Sequence, residues 1–337
     1  MLARSLQPLP AVSGSTPVNR TVDYMRISVT DRCNERCLYC LPEQFSGWSP
    51  RENILSYEEI LAFVEVAVAR GFRHFRVTGG EPLIRRDITH FIRELVRTPG
   101  VESVQLSTNG TCLPELAEEL FAVGLRRLNI SLDALDPERY HAITHGDIAP
   151  VLEGIRRAKA IGFPSIKLNT VLIRHKNEQE IWPLVEFAAS LDLPIRFIEL
   201  MPVSLTKMLT EENFLPVGEV MDLLRRRDTL TPVDDKIGHG PARYYRLQKT
   251  GALVGFIGAL TNLHFCESCN KVRLTADGHL RPCLGHHGEY DLKPALRPLV
   301  DSSELRAILD RALAEKPPEH EFRNNWQPHR IMTAIGG

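Results

Sequence analysis

The chain has 337 residues, 43 % hydrophobic and 25 % charged, with a formal net charge of −1. That size suits one large barrel or two domains, and the composition is globular rather than disordered or fibrous. The balanced charge excludes a global field for nucleic acid, and no run approaches the roughly 18 apolar residues that read as a membrane-spanning helix.

Residues 1–20 are rich in Pro and Ser and lack the apolar core of a secretory signal. They read as a flexible tail, with a short transit peptide as the alternative. Strand and helix patterns then alternate to about residue 200. Strands are predicted at Tyr24–Val29, Phe72–Thr78, Ser103–Ser107, Arg127–Asp133, Ser165–Leu172 and Pro194–Leu200. Helices are predicted from the Ser56–Glu59 capping box to Arg70, from about Asp87, through Pro114, near Pro137–Ile143 and over Pro150–Ile161. Asn177 and Glu180 are expected to cap the next helix. About six β/α units without reversal argue a parallel sheet, either doubly wound or a partial barrel.

Strand parity favours the partial barrel. Arg26 and Ser28 share a face, as do Arg76 and Thr78, Gln105 and Ser107, Asn129, Ser131 and Asp133, and Lys167 and Asn169. A doubly wound sheet is apolar on both faces. Here helices can cover only one face, and the other must line a wet cavity. The cations Arg26, Arg76 and Lys167 in that cavity require an anion, because buried unpaired charge is costly. A triphosphate meets that need, and salt bridges to Glu81, Asp133 or Glu199 are the alternative.

Past Met201 the alternation stops. A linker covers 204–215, a helix Val217–Arg227, and a hairpin joins Arg243–Lys249 to Ala252–Ile257 around Thr250-Gly251. The expected division is a tail at 1–20, a partial barrel at 21–203, and a C-terminal region at 204–337 carrying a second metal site and a Gly-Gly tail.

Six of the seven cysteines fall into two triplets. This is the pattern of reduced thiolates on metal in a cytoplasmic setting rather than a disulfide framework. Cys33, Cys37 and Cys40 form C-x3-C-x2-C directly after the first strand. Soft thiolates select zinc, copper(I) or iron–sulfur clusters. A structural zinc closes four ligands, whereas three cysteines leave one iron of a four-iron cluster open for chemistry. Cys266, Cys269 and Cys283 form C-x2-C-x13-C. Spacing leaves a Cys3His zinc site open there, with His264, His279, His286 or His287 as the fourth ligand. Cys112 reads as a small, partly buried residue.

The first triplet, with Tyr39 before its last Cys, resembles the radical S-adenosylmethionine (SAM) signature, and Gly79-Gly80-Glu81-Pro82 resembles its SAM-binding turn. The segment Asn270–Leu284 and the terminal Gly336-Gly337 narrow the resemblance to the GTP 3′,8-cyclase (molybdenum cofactor biosynthesis protein A) family, from about residue 20 to the C-terminus. The resemblance implies two 4Fe–4S clusters, with Cys33, Cys37 and Cys40 on one and Cys266, Cys269 and Cys283 on the other. It implies SAM contacts at Tyr39, Gly80, Ser131 and Met201, and GTP contacts at Arg26, Arg76, Ser107, Lys167, Lys271, Val272 and Arg273. Gly336 and Gly337 would reach the active site, with Arg273 an electrostatic helper.

The implied reaction turns GTP into 3′,8-cyclo-7,8-dihydro-GTP, by way of a 5′-deoxyadenosyl radical that abstracts the C3′ hydrogen. Implied partners are an external electron donor and a downstream cyclic pyranopterin monophosphate synthase, and a homodimer is compatible. Ser107 and Lys271 stand where many relatives have Thr and Arg. Ser keeps the hydroxyl, and Lys keeps the charge but loses the planar fork. The alternatives are another auxiliary-cluster radical SAM enzyme, such as a peptide maturase, or a zinc- or cluster-binding structural protein.

Overall fold

A computed structural model describes residues 20–42, 44–234, 237–238, 240–324 and 326–336. The expected tail at 1–19 and the terminal Gly337 lie outside them. Six parallel strands form the centre: β1 (Tyr24–Ser28), β2 (His74–Thr78), β3 (Ser103–Thr108), β4 (Arg127–Ser131), β5 (Ser165–Leu172) and β6 (Ile195–Glu199). The helices between them are α1 (Tyr57–Ala69), α2 (Ile88–Arg97), α3 (Leu113–Ala122), α4 (Pro137–Thr144), α5 (Ile148–Ile161) and α6 (Ile181–Ser190). They cover one face only, against a core that includes Phe63, Phe75, Phe91, Leu106, Ile130, Leu168 and Phe197. The incomplete α/β barrel anticipated from parity is the architecture found.

Residues past 203 do not fold into a sheet of their own. α7 (Val217–Arg225) leads to β7 (Leu230–Val233), β8 (Arg243–Leu247) and β9 (Leu253–Ile257). The β8–β9 hairpin forms as expected, and β9 then pairs in parallel with β6. At the opposite edge, β10 (Lys271–Leu274) pairs in parallel with β1, and β11 (His279–Arg281) and β12 (Tyr290–Asp291) follow antiparallel. The result is one open twelve-stranded sheet in the order β12-β11-β10-β1-β2-β3-β4-β5-β6-β9-β8-β7. α8 (Lys293–Leu296), α9 (Ser302–Ala314) and the short α10 (Met332–Ile335) complete the described chain.

The Ser56–Glu59 capping box is present in both directions. The Asn177 cap is not. A 3-10 turn (Glu178–Glu180) precedes α6 without a side-chain cap. The Asn177 amide is used inside the barrel wall, donating to the Asp133 and Val171 carbonyls and accepting from the Ile173 N–H. Its side chain is drawn to buried main-chain groups that would otherwise lack partners. No helix among the described residues is long and apolar enough to cross a membrane.

Candidate active site between two thiol triads

The Cys33–Cys40 loop leaves the C-terminal end of β1, the end where barrels of this kind carry their chemistry. All three cysteines are free and half-buried. Burial pushes the Cys33 thiol up to about 12, and burial also raises Cys37 and Cys40 well above the ordinary thiol value. Such thiols become ligands when a metal replaces the proton. The Glu35 N–H reaches Cys33 Sγ at 3.5 Å, and the Thr333 N–H of α10 donates to the Cys40 sulfur.

Around this loop the strand ends supply a dense polar rim. Gly80 follows β2, where a Cβ would lie 2.1 Å from the Arg32 carbonyl, so only glycine lets the turn approach the cysteine loop. The Glu81 carboxylate accepts from Thr108 Oγ1 and from the Asn109 and Leu83 N–H groups. The Tyr39 hydroxyl donates to Asp133 at 2.7 Å, beyond the end of β4. Ser131 closes β4, half-buried, and Met201 follows β6 and packs beside Val203, Ala259, Phe322 and Trp326. The four expected SAM contacts thus belong to segments leaving the C-terminal ends of β1, β2, β4 and β6.

Cys266 and Cys269 precede β10, and Cys283 follows β11. Because β10 runs parallel to β1, Cys269 enters at the opposite end of that ladder from Cys33. The five residues of β1 separate the two ends by roughly 16 Å. The second triad carries its own N–H···S contacts, from His320 to Cys266, Lys271 to Cys269 and Gly285 to Cys283. Of the histidines considered as zinc ligands, His264 turns to Glu267 and His279 to Asp277. Among the described residues no three His, Cys, Asp or Glu side chains are gathered tightly enough to grip one ion. A four-iron cube instead places each thiolate on its own iron, and the all-sulfur donor sets fit that group.

Between the triads lies the polar face. Arg273, Arg26, Arg76 and Gln105 are consecutive cross-strand partners on β10, β1, β2 and β3. Ser107, Asn129 and Lys167 form a second row on β3, β4 and β5. Arg76 donates to Tyr24 at 2.7 Å and to Gln105 at 2.8 Å. Lys167 Nζ meets the Ile237 carbonyl at 3.0 Å, and Lys271 Nζ meets Asn270 at 2.7 Å. Arg26 Nε is buried with no partner among the described residues. None of Arg26, Arg76, Lys167 and Arg273 pairs with a carboxylate among the described residues. Glu81, Asp133 and Glu199, the acids best placed to neutralise them, are committed to other donors.

This crowding has an electrostatic signature. Burial, then Arg273 and Arg76, hold the Arg26 guanidinium below its ordinary range. Burial, then Arg196, Arg76 and Arg127, bring Lys167 down to about 7, and burial brings Lys271 down to about 8. An anion in the cavity would relieve these repulsions.

One member was not anticipated from sequence. Arg196 on β6 is 4 % exposed and donates to Asn169 at 2.8 Å and Asn129 at 2.5 Å, on the same wet face. Parity on β6 is misleading, because Ile198 sits with Arg196 while Glu199 faces the helices. Glu199 is accommodated there by the Val217, Leu260 and Thr261 N–H groups and the Thr261 hydroxyl. Val272, by contrast, turns its side chain into the core, leaving only its main chain for a ligand. Gly336 accepts from Arg273 Nη1, and its φ of 72° suits glycine. A Cβ on it would lie 2.9 Å from Thr78 Cγ2, so the tail reaches the β1–β2 mouth.

Residues 27–188 match the Radical SAM superfamily model, and 193–322 match Molybdenum Cofactor Synthesis C. The GTP 3′,8-cyclase of Moorella thermoacetica is 44 % identical over 319 residues, covering 94 % of this chain and 98 % of the relative. That of Pelotomaculum thermopropionicum is 42 % identical over 320 residues, with the same coverage of each chain. Among solved structures, Streptococcus suis SuiB bound to S-adenosylmethionine superposes with a TM-score of 0.58 at 14 % identity, covering 85 % of this chain and 68 % of that one, a likeness of fold. The two triads, the cation-lined face and near-full-length identity above 40 % agree, and the chain belongs to the GTP 3′,8-cyclase family of radical SAM enzymes.

Proposed function

We infer that this chain binds GTP across the polar face and converts it to 3′,8-cyclo-7,8-dihydro-GTP in molybdenum cofactor biosynthesis. The observation that carries the substrate reading is the row of half-buried cations without carboxylate partners among the described residues, between two thiol triads. Cys33, Cys37 and Cys40 would hold the cluster that binds SAM, and Cys266, Cys269 and Cys283 a second four-iron cluster on the substrate side. When bound, the first cluster and SAM supply the electron and the carbon-centred radical that removes the C3′ hydrogen of GTP.

The chain's own residues bind, orient and shield. Arg76, Lys167 and Arg196 offer charge-assisted hydrogen bonds to the triphosphate, Arg76 from the middle of β2 and the other two from the N-terminal halves of β5 and β6. Ser107 adds a hydroxyl beside them. Tyr39, Gly80, Ser131 and Met201 shape the SAM end. Arg26 and Arg273 share the cross-strand row of Arg76, and Lys271 opens β10 beside Cys269, so these three line the side of the cavity toward the second triad and would contact the nucleoside there. Gly336 covers the mouth. Holding both reactants in one orientation in a dry site turns a bimolecular encounter into an internal one. In this division, 21–203 handles SAM and 204–337 supplies the second cluster and the tail. An external donor provides electrons, and a cyclic pyranopterin monophosphate synthase takes the product. Reduced thiols fit a cytoplasmic enzyme.

The triphosphate reading is tested by equilibrium binding of GTP, GMP and guanosine to the cluster-loaded chain. Affinity should fall steeply along that series and should fall with salt. Equal affinities would remove the substrate assignment while leaving the SAM site intact.

A further inference from the structure

α9 ends at Ala314, and Lys316 lies two residues beyond it, against the second triad. Its Nζ lies 2.8 Å from the Lys271 carbonyl, 2.5 Å from the Pro282 carbonyl and 3.9 Å from Cys269 Sγ. An ammonium has three N–H donors and no acceptor, and these three partners use all of them. A neutral amine has two, and would leave one acceptor short. Lys271 opens β10 just after Cys269, and Pro282 immediately precedes Cys283. One side chain thus ties together the two arms that bring those thiols to one place.

The charge there is not cancelled by a carboxylate among the described residues. Of the other cations at this end, Lys271 turns its Nζ to Asn270, and Arg20 spends its guanidinium on the Cys266, Pro317 and Pro318 carbonyls.

We propose that Lys316 is the outer-sphere cation that raises the reduction potential of the second cluster. The inference rests on the reading that the second triad holds a four-iron cluster. Each electron accepted by a thiolate-ligated cluster adds negative charge to it. A fixed positive charge in contact with a ligand sulfur stabilises the reduced form more than the oxidised one. The electron comes from the external donor, one per cluster, and no bond is made or broken. Lys316 is a positioning residue and touches neither GTP nor SAM.

The test is an anaerobic potentiometric titration, read by electron paramagnetic resonance, on the reconstituted full chain. Wild type is compared with Lys316→Gln and Lys316→Arg, alongside iron and sulfide analysis. A Cys37→Ala chain assigns the signal of the second triad. The expected result is a midpoint shifted to more negative potential in the Gln protein for that signal alone, and a wild-type midpoint in the Arg protein. Loss of the second cluster from the Gln protein with retention at wild-type potential in the Arg protein also supports the role of charge. An unmoved midpoint in a fully loaded Gln protein overturns the proposal. So does loss of the cluster from both variants, which would make Lys316 a packing residue. A wild-type chain that binds one cluster only overturns the two-cluster reading itself, and this inference with it.

Discussion

Burial, Arg196 and Arg76 hold the Lys167 ammonium down to about 7, so in the ligand-free chain it is only partly charged near neutrality. A bound triphosphate favours the charged form and raises that value. GTP binding must therefore take up protons above about pH 7, and affinity must fall as pH rises through that window. Lys271, held at about 8 by burial, acts in the same direction. Calorimetry of GTP binding between about pH 7.5 and 9, in buffers of differing ionisation enthalpy, reads the uptake directly. The uptake should shrink in Lys167→Met, most clearly near pH 7.5 where Lys271 is still largely protonated, and no uptake in the wild type would contradict the assignment. Arg196 makes a separate prediction. Losing one charge-assisted contact costs about 1.5–3 kcal/mol, so Arg196→Met should weaken GTP binding roughly 10- to 150-fold. SAM cleavage in the absence of GTP should be unchanged in that variant. An unaltered GTP affinity would place the triphosphate elsewhere.

The elements differ in how openly their sequences declare them. The helix α1 announces itself through Ser56 and Glu59, whose side chains and N–H groups bond reciprocally. Ser56→Ala should cost about 1 kcal/mol, seen as a lower denaturation midpoint of the cluster-free chain with an unchanged slope. A midpoint within error of wild type would mean that the pair of Arg297 with Glu59 already secures that end. β1 to β5 were legible because each alternates apolar and polar residues around a half-wet sheet. β6 hid Arg196 because Glu199 breaks its alternation, and Asn177 resembled a cap because its local spacing says nothing of the distant carbonyls that claim it. β10 lay hidden among cysteine-spacing residues. Its four residues carry too little pattern to reveal that they pair with β1, nearly 250 positions earlier.

At the scale of the molecule, the pairing of β10 with β1 decides the geometry. It sets one thiol triad at each end of a single ladder, with Arg26 and Arg273 as direct cross-strand partners between them. The short final helix α10 closes the arrangement, its Thr333 N–H on Cys40 and its Gly336 carbonyl on Arg273. Sequence spacing could group the cysteines within each triplet, but only the sheet order sets the two triplets at opposite ends of one cavity. The central claim is that a radical formed at the Cys33 end meets C3′ of a GTP held by the cations. The most direct measurement supplies GTP deuterated at C3′ to the anaerobic, cluster-loaded chain with SAM and a reductant, and follows the products by mass spectrometry. The account predicts deuterium in 5′-deoxyadenosine together with a cyclised nucleotide. 5′-Deoxyadenosine free of deuterium, with GTP unchanged, would contradict it.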